Sequence, residues 1–241
     1  MPDFQTIIFI FWGGIHIIQA VFFDLYETLI TEWEGDHKKA TYSVAKLGLD
    51  EQVYRKAWAE RMDRRMTGAF ENHQCALEDI LKSHNQTVDK SIIDEIHLQR
   101  VHVKTVPFLN IDSEIINTLH LLKNMNIKLG LISNCAPEEV ESWSQSLLAE
   151  IFDTTIFSYK VKYAKPNSKI YSIACEALQV APQDSIFIGD GGSNELQGAA
   201  DVGMNSYQAT WFRQSNLHGD VFPKLNNPGD VIGIVKSKLE V

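Results

Sequence analysis

Hydrophobic and polar positions follow two different periods along this chain of 241 residues. The apolar run over Ala20–Phe23 is typical of a strand that is buried on both faces of a parallel sheet. After Thr28 the apolar positions recur at helical spacing, which predicts amphipathic helices with no intervening strand as far as about residue 114. The helices predicted in this stretch span residues 37–46, 52–66, 71–84 and 90–97.

Helical and strand patterns alternate from Ile115 onward. Helices are predicted over residues 115–125, 137–148, 168–178, 194–202 and 229–241, and strands over residues 128–132, 155–158 and 185–188. This alternation is typical of βαβ units. We therefore predict an α/β fold with a Rossmann-like, doubly wound parallel sheet built from residues 20–35 and 115–241. Residues 36–114 would form an inserted α-helical domain.

The first 20 residues are an apolar extension whose role the sequence does not explain. No basic residue precedes the apolar run, as a secretory signal would require, and the run continues directly into the first predicted strand. It is also short for a membrane span, which needs about 20 mainly apolar residues. We expect the extension to pack as a strand or against the core, with a membrane anchor as the alternative.

Composition and charge narrow the class of partner. The chain carries 22 Lys and Arg against 31 Asp and Glu, a formal net charge of -9, without a basic patch. Nucleic acid is therefore not expected as a partner. The cysteines Cys75, Cys135 and Cys175 are far apart and form no CxxC pair, so we predict neither disulfides nor a zinc site. A cytoplasmic protein that acts on a small molecule is expected, and net acidity does not exclude an anionic substrate.

Polar residues follow the first predicted strand, where Asp24 and Thr28 end the apolar run. Ligands of parallel sheets bind beyond the carboxyl ends of the strands, which points these two side chains toward a site. An aspartate there can act as a nucleophile or as a metal ligand. An Asx turn explains the same residues without any chemistry.

Later strand ends carry complementary groups. Ser133 and Asn134 follow one strand and suit a phosphate oxygen, or else cap a helix. Lys165 precedes a predicted helix and can neutralise a carboxylate and a substrate together, although a solvated lysine is the ordinary case. Asp190 and Glu195 lie in a glycine-rich acidic loop, which is most simply a magnesium site.

The order Asp24, Ser133, Lys165, Asp190 resembles the haloacid dehalogenase-like hydrolase superfamily. The insertion at residues 36–114 is similar to the C1-type helical cap of its subfamily I. The resemblance implies that Asp24 is the nucleophile and that Thr28, Ser133 and Lys165 bind the transferred group. It also implies that Mg²⁺ is held by Asp24, Asp190 and the main-chain carbonyl of Tyr26, with Glu195 reaching the ion through water.

Tyr26 departs from the phosphatase pattern, which has an acid–base aspartate at this position. A phenol with a pKa near 10 is a poor general base at neutral pH. Tyrosine here is similar to the L-2-haloacid dehalogenase branch, in which the leaving halide needs no proton. Glu27 could supply the missing group, but neighbouring residues of an extended segment point to opposite sides.

Three functions therefore stay open. We favour a magnesium-dependent phosphatase of a small phosphorylated metabolite that forms an aspartyl-phosphate intermediate, because an acidic pair without a metal would repel Asp24. A haloacid dehalogenase and a catalytically weak binding protein are the alternatives.

Substrate choice would lie in the helical stretch. The sequence offers several side chains there that could meet an anionic substrate: Arg55, Arg61, Arg64, Arg65 and His73. The pattern does not separate them from ordinary solvated charges.

Overall fold

A computed structural model describes residues 17–212 and 221–239. The strands are β1 (Ala20–Phe23), β2 (Trp33–Glu34), β3 (His37–Lys38), β4 (Lys128–Ser133), β5 (Thr154–Phe157), β6 (Ser185–Gly189), β7 (Asn205–Ala209) and β8 (Lys224–Leu225). The helices are α1 (Glu51–Glu60), α2 (Met62–Met66), α3 (His73–Ser83), α4 (Lys90–Leu109), α5 (Ser113–Asn124), α6 (Leu147–Ile151), α7 (Ser158–Val161), α8 (Ser168–Leu178), α9 (Glu195–Asp201) and α10 (Asp230–Leu239).

Six strands of the described residues form one parallel sheet in the order β5-β4-β1-β6-β7-β8. Strand β1 lies inside it, with Phe23 opposite Leu131 of β4 and Ile188 of β6. All six carboxyl ends therefore meet at one edge of the sheet. The predicted α/β, Rossmann-like fold is confirmed.

Side chains of β1 alternate between the two faces of the sheet. Val21 and Phe23 belong to one apolar cluster, which includes α5 and α10, whereas Phe22 belongs to a second cluster built with α8 and α9. Burial on both faces explains why the strand has no polar position. It also holds the residue that follows Phe23 rigidly at the carboxyl edge.

Residues 45–109, here called the helical insert, pack around an apolar cluster of their own. Its buried members are Leu47, Tyr54, Ala57, Leu77, Ile80, Leu81, Ile93 and Ile96. The helices α1 to α4 account for three of the predicted helices, with the chain turning at Arg61 between α1 and α2 and with α4 extending to Leu109. The assignment of residues 36–114 as a cap domain stays a prediction.

The helix predicted over residues 37–46 is wrong. Strands β2 and β3 pair there as a short antiparallel ribbon, and a 3-10 turn follows at Ala45–Leu47. Gly35 adopts a φ of 57° at the turn between the strands. Glycine at the first position of a two-residue turn favours a hairpin, and this local signal overrode the helical spacing.

The helix predicted over residues 137–148 is also wrong. Two 3-10 turns, Pro137–Glu139 and Trp143–Gln145, precede the short helix α6. The Glu139 carboxylate accepts a hydrogen bond from the Ala136 N–H, and the Glu139 carbonyl accepts one from Tyr26. A local cap at Ala136 and a contact with the distant Tyr26 therefore take the place of continued helical hydrogen bonds. Strands β7 and β8 and helix α7 were not predicted.

Most of the apolar extension, residues 1–16, lies outside the described residues. Its predicted packing and the alternative of a membrane anchor therefore stay predictions. Among residues 17–212 and 221–239, no helix is long and apolar enough to cross a membrane.

Gly198 of α9 packs directly on Pro166. A Cβ at position 198 would lie 2.8 Å from both the Cβ and the carbonyl oxygen of Pro166. We predict that Gly198→Ala lowers the free energy of unfolding, because overpacking costs about 1–3 kcal/mol and exceeds the gain in helix propensity of about 1 kcal/mol.

Gly233→Ala is the matched control, since Gly233 lies in α10 and a Cβ there meets nothing within 4 Å. It should raise the stability by up to about 1 kcal/mol. Urea unfolding of both variants measures the two effects. Equal stabilisation by the two substitutions would contradict the close contact at Pro166.

Candidate active site

Asp24 follows β1 at the carboxyl edge of the sheet, as the sequence predicted. The residue is only 7% exposed, and its N–H donates to the Ile188 carbonyl of β6 over 2.8 Å. Its carboxylate accepts a hydrogen bond from the Lys165 ammonium. Burial raises the pKa of Asp24, Lys165 opposes this rise, and the nearby charge of Asp190 adds to it.

Lys165 joins two of the predicted site residues. It is 4% exposed, and its Nζ contacts both Asp24 and Glu195. Burial alone would lower the pKa of Lys165, but the carboxylates of Asp24 and Glu195 raise it above its usual value. Lys165 therefore stays positively charged and is the counterion of the buried carboxylates.

Glu195 begins α9 and turns its carboxylate back over the end of β6. Its Oε1 accepts a hydrogen bond from the Gly191 N–H over 3.2 Å. A Cβ at Gly189 would lie 2.1 Å from this oxygen, so the glycine leaves the space that the glutamate occupies. Burial, reinforced by the charge of Asp24, raises the pKa of Glu195 to about 8.

Carboxylates of Asp24, Asp190 and Glu195 converge. Each contributes an oxygen, and these oxygens lie within 4.8 Å of one another. Asp190 is held by the Gly192 N–H, which donates to its Oδ1 over 2.9 Å. Hard oxygen ligands of this kind suit Mg²⁺, and a cation would relieve the mutual repulsion that raises two of the pKa values. The residues present therefore fit the predicted metal.

The loop that leads into α9 has an unusual backbone. Gly191, Ser193 and Asn194 all have positive φ angles, of 100°, 53° and 54°. A left-handed conformation costs a residue with a side chain about 1–3 kcal/mol, and such strain is concentrated at functional sites. The strained turn allows Asp190 and Glu195 to approach the same point.

The predicted phosphate-binding residues lie at the same edge. Asn134 donates to the Lys165 carbonyl over 2.9 Å and accepts from the Lys165 N–H over 2.7 Å, so it positions the lysine. Ser133 ends β4 and is buried. Thr28 is fully buried, and its Oγ1 has no hydrogen-bond partner among the described residues. The roles of these side chains in substrate binding stay predictions.

The hydroxyl group of Tyr26 is engaged in a hydrogen bond with the main chain. The phenol donates to the Glu139 carbonyl over 2.5 Å, and the Lys104 ammonium lies 4.6 Å from the ring centroid. Burial, with the negative charge of Glu139, raises the pKa of Tyr26 well above 10. The phenol therefore stays protonated and bonded to the main chain.

Glu27 does not replace the missing acid. Its carboxylate accepts hydrogen bonds from the Thr31 hydroxyl over 2.6 Å and from the Glu32 N–H over 3.0 Å. The side chain therefore stabilises the turn after β1, in agreement with the expectation that it faces away.

A buried charge cluster beside Tyr26 was not predicted. Arg100 donates to Glu138 and Glu139 over 2.7 Å each, and Lys104 lies 2.7 Å from Glu32. Burial alone would raise the pKa of Glu139, but Lys104 and Arg100 lower it to about 2. The partners are far apart in sequence, and no spacing rule pairs Arg100 on a helix with a glutamate 38 residues later.

A cavity of about 560 Å³ lies between the helical insert and the carboxyl edge of the sheet. Asn134, Lys165 and Pro166 line its sheet side. The insert contributes Trp58, Met62, Asp63, Arg65, Met66, Arg100 and Lys104. A small molecule in this cavity would therefore contact both parts of the protein.

A buried nucleophile candidate, a lysine and converging carboxylates at the carboxyl edge of a parallel sheet define an α/β enzyme. Comparison with known proteins identifies the family. The haloacid dehalogenase-like hydrolase family matches residues 18–203, so the chain belongs to this family and is a hydrolase.

Curated relatives include both phosphatases and dehalogenases. The chain is 23% identical over 192 residues to the glyceraldehyde 3-phosphate phosphatase of Methanopyrus kandleri, covering 78% of this chain and 82% of the relative. It is 26% identical over 210 residues to the (S)-2-haloacid dehalogenase of Pseudomonas putida, covering 83% and 86%.

Solved structures share the fold. The 2-haloacid dehalogenase from Pseudomonas syringae pv. Tomato DC3000 has a TM-score of 0.63 at 18% identity and covers 92% of this chain and 99% of its own. The β-phosphoglucomutase from Clostridium difficile has a TM-score of 0.58 at 17% identity, with coverages of 93% and 98%.

We predict that Tyr26→Phe lowers the stability of the protein and leaves its turnover nearly unchanged. It removes one hydrogen bond to the Glu139 carbonyl, which should lower the free energy of unfolding by about 1 kcal/mol. A general acid–base contributes about 10²–10⁴-fold to turnover, so kcat should stay within about tenfold of the wild type. Urea unfolding and steady-state kinetics measure both quantities. A folded variant that lost kcat a hundredfold would assign Tyr26 a catalytic role instead.

Proposed function

We propose that this hydrolase is a magnesium-dependent phosphatase of a small phosphorylated metabolite. The observation that carries the proposal is the meeting of Asp24, Asp190 and Glu195 within 4.8 Å, with Lys165 bonded to two of them. Such a site combines a nucleophile, a cation site and a fixed positive charge. The relationship to glyceraldehyde 3-phosphate phosphatases supports the same chemistry.

In this proposal, a carboxylate oxygen of Asp24 attacks phosphorus while the bond to the leaving oxygen breaks, which gives an aspartyl phosphate. Water then cleaves this intermediate and releases phosphate. Lys165 stabilises the negative charge that develops on the transferred group. The unpartnered Oγ1 of buried Thr28 is available to bind its oxygens. Ser133 would bind them as well, and Asn134, whose amide is bonded to the Lys165 main chain, would contribute the second hydrogen of its NH₂ group.

Asp24, Asp190 and Glu195 would hold Mg²⁺, with the Tyr26 carbonyl as a further ligand. When bound, the ion neutralises a phosphoryl group and the carboxylates around it. Glu195 contacts Lys165 and the Gly191 N–H directly, so a contact of Glu195 with the ion through water keeps these hydrogen bonds in place.

Leaving-group protonation limits the substrate. Neither Tyr26, bonded to the Glu139 carbonyl, nor Glu27, bonded to Thr31, is placed to protonate a leaving oxygen. The proposal therefore favours phosphates with an acidic leaving group, such as acyl or aryl phosphates, over alkyl esters.

A haloacid dehalogenase is the second candidate, because Tyr26 and the relationship to the Pseudomonas putida enzyme both fit it. Asp24 would then displace halide from carbon, and no proton would be needed. The acidic cluster weighs against it, since Asp190 and Glu195 would repel a carboxylate substrate unless a cation were present.

Substrate panels separate the two functions. Acyl, aryl and alkyl phosphates and 2-chloropropionate should be incubated with the wild type, with and without EDTA, while phosphate and chloride are measured. We predict phosphate release that is fastest from acyl and aryl phosphates and is abolished by EDTA. Asp24→Asn should reduce it by about 10³-fold or more.

Chloride release together with no phosphate release would replace the proposal with the dehalogenase. Phosphate release that survives EDTA and Asp24→Asn alike would reject the proposed site.

Magnesium binding can be measured without turnover. A cation bound only by the folded state stabilises it by about 2.7 kcal/mol at a hundredfold excess over its Kd. We predict that Mg²⁺ raises the thermal midpoint of the wild type and that Asp190→Asn removes most of this rise. Because Asp190 repels its buried neighbours, the variant without metal should be at least as stable as the wild type.

Asp184→Asn is the control, since Asp184 directly precedes β6 at the edge opposite Asp190. It should keep the magnesium effect. An equal magnesium response in all three proteins would place the ion elsewhere.

A further inference from the structure

The structure shows which basic side chains of the helical insert already have partners and which do not, a distinction that the sequence could not make. Arg55 pairs with Glu51 at the surface. Arg61 and Arg64 both pair with Asp79, over 2.7 and 3.2 Å. These three guanidinium groups are therefore occupied within the insert.

His73 is not a binding cation either. Its ring packs against Trp58 and His97, with centroids 5.3 and 5.7 Å away. Burial lowers the pKa of His73 to about 2, so the ring is neutral.

Arg65 differs from all of these residues. It is 5% exposed, yet its Nε is buried without a hydrogen-bond partner among the described residues. Its guanidinium lies 3.8 Å from the centroid of the Trp58 ring, and both side chains line the cavity that reaches Lys165. A buried guanidinium with an unmet donor is costly unless a ligand supplies the acceptor.

The other cations of the insert that line this cavity already have carboxylate partners. Arg100 bonds to Glu138 and Glu139, and Lys104 pairs with Glu32. Arg65 is therefore the insert cation of this lining that has no ion-pair partner among the described residues, and its Nε is free to donate to a ligand.

The turn after α2 fixes Arg65 relative to the sheet. Gly68, with a φ of 65°, accepts a hydrogen bond from the Lys162 ammonium over 2.9 Å. A Cβ at Gly68 would lie 2.3 Å from the Tyr159 carbonyl oxygen, so the backbones touch at this point. The contact at Gly68 thus fixes the turn that directly follows Arg65, which lines the cavity, against the residues after β5.

We propose that Arg65 binds a second anionic group of the substrate, a carboxylate or a phosphate, while the transferred phosphoryl group lies at Asp24 and Lys165. This assignment rests on the proposed phosphatase function and names its substrate class: small metabolites with two anionic groups. The planar guanidinium matches either group through paired hydrogen bonds. Trp58 holds it by stacking and excludes water from one face.

Calorimetric titration of Asp24→Asn protein tests the assignment without turnover. Two ligand pairs differ by one anionic group: glycerol 3-phosphate against 3-phosphoglycerate, and fructose 6-phosphate against fructose 1,6-bisphosphate. The first pair tests whether the second anionic group is a carboxylate, and the second pair tests whether it is a phosphate. We predict that the doubly anionic member of at least one pair binds more tightly.

Adding Arg65→Met should weaken binding of that ligand by about ten- to a hundredfold, the loss typical of a hydrogen-bonded charge pair, and should change its singly anionic partner less than about twofold. Arg65→Lys should give an intermediate loss, because it keeps the charge without the planar fork. Arg64→Met is the matched control and should leave both affinities unchanged. If Arg65→Met does not fold, Arg65→Lys carries the test.

Equal weakening of both members of a pair by the Arg65 variants would show a structural role and overturn the assignment. A parent protein without preference for a doubly anionic ligand would overturn it as well. If Arg65→Met selectively weakens binding of the doubly anionic ligand, but the wild type releases phosphate from none of the acyl, aryl and alkyl phosphates, the result supports the Arg65 site and rejects the phosphatase.

Discussion

One buried ammonium group makes the site possible. Asp24 and Glu195 are almost completely removed from water, and with Asp190 they place three carboxylate oxygens within 4.8 Å. Burying such charges without a partner is costly, and Lys165 supplies the partner. Asn134 holds the main chain of Lys165 in position through two hydrogen bonds. The absence of side chains at Gly189 and Gly198 makes room for Glu195 and Pro166.

A second buried ion cluster joins the helical insert to the sheet and explains Tyr26. Arg100 of α4 bonds to Glu138 and Glu139, which lie directly after the loop that follows β4. The Glu139 carbonyl is left for the Tyr26 hydroxyl. Tyr26, which departs from the phosphatase pattern, therefore has a structural partner. The ion pairs of Arg100 and the hydrogen bond of Tyr26 together hold the side of the site nearest the insert. Arg100, Lys104 and Glu139 belong to this cluster and also line the cavity between the insert and the sheet.

Most of the sheet could be predicted because its strands are apolar on both faces. β1, β4 and β6 stand out for this reason, and the residues at their carboxyl ends meet because the strands are parallel. The failures have equally specific causes. Residues 37–46 were predicted as helix, but a turn at Gly35 pairs β2 with β3. Residues 137–148 have helical spacing, but the carbonyl of Glu139 accepts a hydrogen bond from Tyr26 and its carboxylate accepts one from Arg100. Hydrogen bonds between residues 113 and 39 positions apart do not show in a periodic pattern.

The sequence by itself determined the fold class, the family and the residues that meet at the carboxyl edge, since these depend on apolar runs and on groups placed just after them. The tertiary structure decided what each group contacts. It showed that the phenol of Tyr26 is bonded to the main chain, that Glu27 turns away, and that Arg65 differs from Arg55, Arg61 and Arg64. All four arginines carry the same charge on amphipathic helices. Only packing determines which of them is buried with an unbonded Nε, because burial and pairing depend on neighbours that the local sequence does not contain.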